Sequence, residues 1–261
     1  MGKHLYARHN LNWGRSMIRI VRYILLSIHF VIGSFIGILA GIIRPFNPSN
    51  SRVSAQVYSK IGLPIIGIKV HHEGKENYPK DKNFIVICNH QSNWDLFVVG
   101  SIVPKRTASI GKKSLKWVPL FGQLYWLAGN ILIDRGNAKK AIEAMDITKT
   151  ALTKKDTNIW FFAEGTRNHG KNMLPFKKGA FVTAINAGVP IVPVCSSAYL
   201  DNFSFDRLNN NDAYVRVLPP IETAGMTNAD IPELMAKCHA DMLAVIEELT
   251  QKAAQGEPVS S

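Results

Sequence analysis

Residues 24–43 form a run of twenty residues without a charged side chain, interrupted only by Ser27, His29 and Ser34. As a helix this run extends about 30 Å, the thickness of the hydrocarbon core of a bilayer. A chain with such a run must bury it or place it in lipid. A cleaved secretory signal fits poorly, because 23 residues precede the run, its apolar core is long, and no small-x-small cleavage site precedes Arg44-Pro45. The run therefore predicts an N-terminal membrane-anchoring helical segment.

Three glycines and six basic residues define the expected form of this anchor. The glycines recur every four residues and form a stripe against which another helix can pack closely: Gly33, Gly37 and Gly41. The basic residues flank both ends of the run: Arg15, Arg19 and Arg22 before it, and Arg44, Arg52 and Lys60 after it. Because the positive-inside rule places both ends in the cytoplasm, we expect a monotopic anchor, bent at its glycines, in preference to a single span.

The positive charge is concentrated at the N-terminus. The net charge is +12, and residues 1–72 carry nine Lys or Arg and no Asp or Glu, which leaves +3 for the rest of the chain (12 − 9 = 3). This distribution predicts contact with an anionic surface. Nucleic acid matches the sign, but the embedded apolar run favours lipid. The three cysteines are widely spaced, so they indicate neither a disulfide framework nor a zinc site, and they are typical of a reducing compartment.

Short apolar runs alternate with helical patterns along the remaining chain. The predicted strands are 65–70, 84–88, 108–110, 131–133, 159–162, 191–194 and 214–218, and the predicted helices are 138–153, 178–186 and 230–252. This alternation predicts an α/β fold, with a largely parallel or mixed sheet flanked by helices. We therefore divide the chain into a basic anchoring segment (1–62), an α/β domain (63–254) and a frayed tail (255–261).

A histidine and an aspartate follow the predicted strand at 84–88. Open α/β sheets place their ligands at the carboxyl ends of their strands, which is where His90 and Asp95 lie in the chain. Five residues of regular helix would separate the two side chains, but a strand-to-helix turn can fold Asp95 back onto the imidazole. The pattern predicts a general base, His90, oriented by Asp95.

A second polar cluster follows the predicted strand at 159–162. Gly165 allows a ligand to approach the backbone, and Arg167 carries a planar cation suited to phosphate. A surface ion pair between Arg167 and Glu164 is the alternative interpretation. Lys112 and Arg135 follow two further strands. These side chains predict a crevice that has a base on one side and an anion-binding site on the other.

Four sequence blocks resemble those of the bacterial 1-acyl-sn-glycerol-3-phosphate (lysophosphatidic acid) acyltransferases. The blocks are Asn89-His90-x4-Asp95, residues 111–135, residues 162–167 and residues 189–194. They occur in the family's order, and the resemblance covers essentially the whole chain. Ala163 is a departure, because the family usually has proline there.

The resemblance implies a reaction and a set of ligands. A fatty acyl group passes from acyl-CoA or acyl carrier protein to the sn-2 hydroxyl of lysophosphatidic acid, giving phosphatidic acid for phospholipid synthesis. The catalytic residues are His90 and Asp95, and the substrate-binding residues are Glu164, Gly165, Thr166, Arg167, Arg135 and Lys112. The phosphate lies on the cations, Glu164 positions glycerol hydroxyls or the arginine, and backbone N–H groups at 164–166 bind the oxyanion.

We further expect direct transfer in a ternary complex, with no metal and no cofactor beyond the thioester co-substrate. The expected location is the bacterial inner membrane, with the catalytic domain on the cytoplasmic face. Three alternatives remain open. The first is acylation of glycerol 3-phosphate or another lysophospholipid. The second is a metallohydrolase built on His71, His72, His90 and Asp95, although adjacent strand residues point to opposite faces. The third is a non-catalytic module that binds anionic lipid or nucleic acid.

Overall fold

Seven strands form one mixed sheet. The computed structural model describes residues 2–134, 136, 138–201 and 203–255. The strands are β1 (Val70–Glu73), β2 (Ile85–Cys88), β3 (Thr107–Lys112), β4 (Ile131–Ile133), β5 (Asn158–Phe162), β6 (Ile191–Ser196) and β7 (Ala213–Val217). Their order is β1-β7-β6-β2-β5-β3-β4, and all neighbours are parallel except β6 and β7. The predicted α/β class is confirmed.

Helices cover both faces of this sheet. They are α1 (Gly2–Ile43), α2 (Ser49–Ile66), α3 (Asp95–Val98), α4 (Phe121–Leu127), α5 (Ala138–Lys154), α6 (Gly179–Ala187) and α7 (Ile231–Gln255), with short 3₁₀ turns at Lys75–Asn77, Val99–Ile102, Lys113–Trp117 and Asn228–Asp230. Alternate residues of β2 belong to two separate cores: Ile85 and Ile87 to one, Val86 and Cys88 to the other. Burial on both faces explains why this strand is continuously apolar.

The predicted strand at 65–70 is wrong. Helix α2 continues to Ile66 and ends at Gly67, whose φ of 71° is the left-handed conformation of a helix C-cap. Strand β1 begins only at Val70. A short apolar run does not distinguish a buried helix end from a strand, which accounts for the error. The expected boundary at 62–63 falls inside α2. The expected tail begins at Gln255, the last residue of α7, and residues 256–261 lie outside the described part of the chain.

Helix α1 is continuous through its three glycines, so none of them interrupts the helix. The glycines instead allow close packing, as predicted. A Cβ added at Gly33 would lie 3.1 Å from the Tyr58 ring of α2. One at Gly37 would overlap Leu124 of α4, and one at Gly41 would lie 2.6 Å from Leu127 Cβ. The glycine face of α1 therefore fits against the α/β domain.

The opposite face of α1 is apolar and exposed. Its exposed side chains include Ile24, Ile28, Val31, Ile32, Phe35, Leu39 and Ile42. The segment Ser16–Ile43 is long and apolar enough to cross a membrane, and only 28% of its most apolar 18-residue stretch is buried. A helix in the core of a soluble protein would be mostly buried. The exposed face therefore supports the expected association with a membrane.

Two arginines near the start of the apolar run bind the protein itself. Arg19 donates two hydrogen bonds to Asp206, at 2.7 and 2.5 Å, and Arg22 donates to the carbonyl oxygens of Phe205 and Leu208, at 3.1 and 2.6 Å. Their guanidinium groups fasten α1 to the loop before β7. Arg22 is 5% exposed, so it is withdrawn from the expected anionic-lipid surface. Arg19 remains exposed, but its charge is paired with that of Asp206.

Candidate active site

The two predicted polar clusters lie side by side at the carboxyl edge of the sheet. Strands β2 and β5 are parallel neighbours, with Cys88 opposite Phe162, so the turns that follow them are adjacent. The Ala163 N–H donates to the Cys88 carbonyl at 3.1 Å, and the Asn168 N–H donates to the His90 carbonyl at 2.8 Å. Backbone hydrogen bonds thus join the two turns into one structure.

The turn after β2 folds Asp95 back onto His90, as the spacing predicted. The His90 Nδ1 lies 2.5 Å from Asp95 Oδ2, and the N–H groups of Gln91 and Ser92 donate to the same oxygen at 2.8 and 3.1 Å. Because an ionised carboxylate only accepts, Nδ1 carries the proton, and Nε2 has a free lone pair. The imidazole also stacks on Phe162, with ring centroids 3.9 Å apart. The ring is therefore fixed in position and in tautomer.

A cavity of about 1040 Å³ opens at this dyad. Five of the predicted site residues line it together with Asp95: His90, Lys112, Gly165, Thr166 and Arg167. Aromatic and aliphatic side chains supply much of the remaining wall, among them Phe30, Tyr58, Phe97, Leu115, Phe121, Leu124 and Trp160. A mostly apolar cavity with a few convergent polar groups is typical of a small-molecule site. Here the polar groups include the imidazole of His90 and the cations of Lys112 and Arg167.

Arg167 is exposed to this cavity. Within the described residues it forms no ion pair, so the alternative of a surface pair with Glu164 is wrong. Lys112 lines the same cavity and also a second one of about 420 Å³, which is lined further by Lys113, Lys116 and Trp117. Arg135, the third predicted cation, lies outside the described residues.

Glu164 does not line the cavity, contrary to prediction. Its side chain is 1% exposed, and its carboxylate accepts hydrogen bonds from the His90 N–H at 2.6 Å, the Leu174 N–H at 2.8 Å and Asn168 Nδ2 at 3.1 Å. Burial raises the pKa of this carboxyl above its usual range. With its oxygens occupied by loop donors, Glu164 holds the backbone of the base in place and does not reach Arg167 or a ligand.

The Gly165 N–H is also used internally. It donates to the Phe162 carbonyl at 2.9 Å and closes the turn after β5, so it is not available as the predicted oxyanion donor. The turn requires a left-handed φ of 71° at this position, which glycine adopts without strain. A Cβ at Gly165 would also lie 3.0 Å from Lys177 Cγ. Gly165 therefore shapes the wall of the cavity beside Arg167.

Tyr199 is a member of the site that was not predicted. Its hydroxyl lies 2.5 Å from Asp95 Oδ1, although 104 residues separate the two in the chain. Tyr199 follows β6, and β6 is the other neighbour of β2. The apolar run of β6 was recognised in the sequence, but the polar loop after it was not connected with the dyad. A tyrosine shortly after a buried strand was the available signal.

The residues of the metallohydrolase alternative have separate partners. His71 Nε2 lies 2.6 Å from Asp212 Oδ2, and His72 Nε2 lies 2.6 Å from the Ser101 hydroxyl. Burial lowers the pKa of His72 to about 4. In the described part of the chain, no three His, Cys, Asp or Glu side chains are grouped as ligands of one metal ion. The two histidines thus belong to β1 and its surroundings and not to the cavity of His90.

Known proteins resemble this chain in sequence and fold. Residues 69–197 match the family model described as Acyltransferase. The 1-acyl-sn-glycerol-3-phosphate acyltransferase of Haemophilus influenzae is 38% identical over 240 residues, covering 92% of this chain and 100% of the relative. The enzyme of the same name from Escherichia coli is 38% identical, with coverage of 92% and 98%. The human alpha form is 40% identical over 188 residues, covering 71% of this chain and 66% of the relative.

A solved structure shares the fold. The crystal structure of the 1-acyl-sn-glycerophosphate acyltransferase of Thermotoga maritima superposes with a TM-score of 0.69 at 22% identity, covering 90% of this chain and 97% of the other. Sequence identity near 40% over almost the entire length of bacterial relatives places the chain in a known enzyme class. The chain belongs to the 1-acyl-sn-glycerol-3-phosphate acyltransferases, a family of O-acyltransferases.

Proposed function

We propose that this protein transfers a fatty acyl group from a thioester to the sn-2 hydroxyl of lysophosphatidic acid, forming phosphatidic acid. The names of its relatives supply the substrate class. One observation carries the proposal: the His90–Asp95 dyad opens into the same cavity as Arg167 and Lys112. A base for the hydroxyl and cations for the phosphate are the two groups that this acceptor requires.

The proposed reaction begins with His90. Its Nε2 removes the proton of the acceptor hydroxyl as the oxygen attacks the thioester carbonyl carbon, and Asp95 stabilises the imidazolium that results. The tetrahedral intermediate then collapses, its C–S bond breaks, and the imidazolium returns the proton to the departing sulfur. The products are an ester and a free thiol, and the imidazole is neutral again. General-base catalysis of this kind contributes about 10²–10⁴-fold.

Direct transfer in a ternary complex is part of the proposal. Covalent transfer through a thiol would need an accessible cysteine, and the three cysteines are buried. Burial also raises the pKa of Cys88, the cysteine nearest His90 in the chain, well above its usual value. These observations support direct attack by the acceptor. Incubation with the acyl donor alone tests this step by mass spectrometry, and a stable acyl-enzyme would contradict it.

The deciding experiment is an acyl-transfer assay with a panel of substrates. Lysophosphatidic acid, glycerol 3-phosphate and a lysophospholipid with a blocked phosphate serve as acceptors, and acyl-CoA and acyl carrier protein serve as donors. Lysophosphatidic acid is expected to be the preferred acceptor. His90→Ala is expected to lose at least about a hundredfold in turnover and to keep its fold and membrane binding. Near-normal turnover in this variant would show that His90 is not the base. A preference for another acceptor would show that lysophosphatidic acid is not the substrate.

The proposed location is the cytoplasmic face of the bacterial inner membrane, with α1 lying in one leaflet. Contacts to the α/β domain extend from Arg19 to Gly41, a length of about 33 Å along the helix axis. A helix attached to the domain over this length cannot also cross the bilayer along the same segment. The exposed apolar face of α1 is then available to acyl chains.

Cysteine labelling tests this topology. The native cysteines are buried, so Ser16→Cys and Lys60→Cys introduce the reactive thiols, one before the apolar run and one after α1. In inside-out and right-side-out vesicles, both thiols are expected to react from the cytoplasmic side with a membrane-impermeant maleimide. Reaction from opposite sides would show that the helix spans the membrane.

A further inference from the structure

Both oxygens of the Asp95 carboxylate are occupied, and Tyr199 occupies one of them. The Tyr199 hydroxyl lies 2.5 Å from Oδ1, while Oδ2 accepts from His90 Nδ1 and from two backbone N–H groups. Asp95 and Tyr199 are each 1% exposed. Solvent therefore contributes little to stabilising the negative charge of this carboxylate. The hydrogen-bond partners of Asp95 determine the orientation of the carboxylate.

The direction of each hydrogen bond follows from the chemistry of the partners. An ionised carboxylate only accepts, so the Tyr199 hydroxyl donates to Asp95. The single hydrogen of the Tyr199 hydroxyl is used on Asp95, so the Ser92 hydroxyl, 2.9 Å away, donates to the Tyr199 oxygen. The Ser92 hydroxyl also accepts from the Trp94 N–H at 2.9 Å. The result is a buried chain from Ser92 through Tyr199 to Asp95, ending at His90. Successive donors in such a chain strengthen one another.

Burial raises the pKa of Tyr199 well above its usual value. The hydroxyl therefore keeps its proton throughout the working pH range and remains a donor. The other titratable groups around the dyad are the buried Cys88 thiol of β2 and the Glu164 carboxylate behind the His90 backbone, while Arg167 and His169 line the cavity in front. Within the described residues, none of these side chains donates a hydrogen bond to Asp95 Oδ1.

We propose that Tyr199 is a positioning residue of the acyl-transfer reaction: its hydroxyl holds the Asp95 carboxylate in the orientation that serves His90 and shares its negative charge. This inference rests on the proposed function and extends it to a residue outside the His-x4-Asp motif. Tyr199 does not line the cavity and acts through Asp95.

Removal of the hydroxyl has two physical consequences. Oδ1 becomes a buried anionic oxygen without a donor, so the carboxylate is free to rotate away from His90. The negative charge also becomes concentrated on the oxygen that faces the imidazole, which stabilises the protonated ring. The first effect lowers turnover. The second requires a higher pH before His90 loses its proton and can act as a base.

Tyr199→Phe tests the proposal. We expect kcat to fall about tenfold, equivalent to the loss of one hydrogen bond to a charged group. The KM values of donor and acceptor should stay within about twofold, and the acidic limb of kcat/KM should move to higher pH. Tyr78→Phe is the matched control, because it deletes a hydroxyl that donates to the Ile102 carbonyl at 3.2 Å, away from the dyad. If both variants keep the wild-type pH profile and turnover, the proposal is wrong.

Replacing Tyr199 with 3-fluorotyrosine is an independent test that nearly preserves the shape of the side chain. Fluorine makes the phenol a stronger donor, so more charge is drawn from Asp95, and the acidic limb should move to lower pH, opposite to Tyr199→Phe. The 3-fluorotyrosine variant decides the question if Tyr199→Phe does not fold. An acidic limb of kcat/KM that stays at the wild-type pH would overturn the proposal. Failure here is distinguishable from failure of the proposed function, because His90→Ala would still lower the turnover of lysophosphatidic acid acylation at least about a hundredfold.

Discussion

The backbone N–H of His90 donates to the Glu164 carboxylate at 2.6 Å. This bond connects the turn after β2 with the turn after β5. The same carboxylate accepts from the Leu174 N–H and from Asn168, so it also holds the start of the segment that leads to α6. The glutamate of the third sequence block therefore fixes the backbone of His90 in the first block. Its role is inside the protein, although its place in the motif suggests contact with substrate.

Glu164→Gln tests this internal role. Glutamine retains one acceptor oxygen and replaces the other with an NH₂ group, which faces N–H donors instead of accepting from them. We expect kcat to fall roughly tenfold to a hundredfold, since one buried donor is left unsatisfied. The acceptor KM should change little. Steady-state kinetics measure both, and Glu222→Gln, at an exposed ion pair with Lys82, is the control. An increase confined to the acceptor KM would instead show contact between Glu164 and the substrate.

Arg167→Ala is expected to act on the acceptor. Loss of a charge-assisted contact with phosphate corresponds to roughly a tenfold to hundredfold rise in the acceptor KM, because such contacts contribute about 1.5–3 kcal/mol. The acceptor KM of Arg167→Lys should lie between those of wild type and Arg167→Ala, since an ammonium group keeps the charge but cannot bind phosphate through a planar fork.

The substrate itself supplies the control for this arginine. A monoacylglycerol lacks the phosphate, so wild type and Arg167→Ala should use it equally, and the donor KM should not change in either variant. A rise in the donor KM alone would assign Arg167 to the thioester.

The sequence predicted the elements and the edge of the sheet at which the site lies. Buried strands such as 84–88 and 159–162 are apolar on both faces, and each ends abruptly at polar residues, so local composition was sufficient to locate His90 and Arg167. The contact between His90 and Asp95 was also predictable, because it depends only on the turn between them. The adjacency of β2 and β5 followed from the assumption of one parallel sheet.

Long-range side-chain direction was not predictable. Glu164 turns inward because the N–H groups of His90 and Leu174, 74 and 10 positions away, donate to its carboxylate, and no local sequence pattern indicates that these residues come close to it. Tyr199 reaches Asp95 because β6 is a neighbour of β2, and strand order is not encoded in the periodicity of any single run. The Gly165 N–H was assigned to an oxyanion from its position after a strand, whereas the turn itself uses it.

The glycine stripe of α1 leads to a stability prediction. Gly37→Ala places a methyl group against Leu124 and 2.8 Å from the Ser54 hydroxyl. Although alanine favours helix over glycine, this overlap should lower the free energy of unfolding by about 1–3 kcal/mol. Gly14→Ala is the control, because no atom lies within 4 Å of its added Cβ, and it should be neutral or slightly stabilising. Thermal unfolding in detergent compares the two, and equal stability would show that α1 does not pack closely on α4.

Glu73 predicts a pH-dependent contribution to stability. It accepts from Arg216 Nε and from Lys252 Nζ, each at 2.6 Å, and so joins β1 to β7 and α7. Burial raises the pKa of Glu73, but the hydrogen bonds from Lys252 and Arg216 outweigh it and hold the pKa below its usual 4.5. A carboxyl with a depressed folded pKa stabilises the fold above the unfolded pKa, and this contribution is lost as the pH falls through the folded value.

Glu73→Gln should therefore be less stable than wild type at pH 7, by about 1–2 kcal/mol. The difference should shrink as the pH falls from the usual glutamate value through the lower pKa of folded Glu73, because below that pKa Glu73 is protonated in the folded wild type as well and the two chains carry similar neutral groups. Thermal unfolding at several pH values between neutral and strongly acidic measures it. Asp241→Asn, at an exposed helix pair with Lys237, should show only a small difference throughout. A gap for Glu73→Gln that stays constant down to strongly acidic pH would mean that lost packing, and not the ion-pair network, causes the destabilisation.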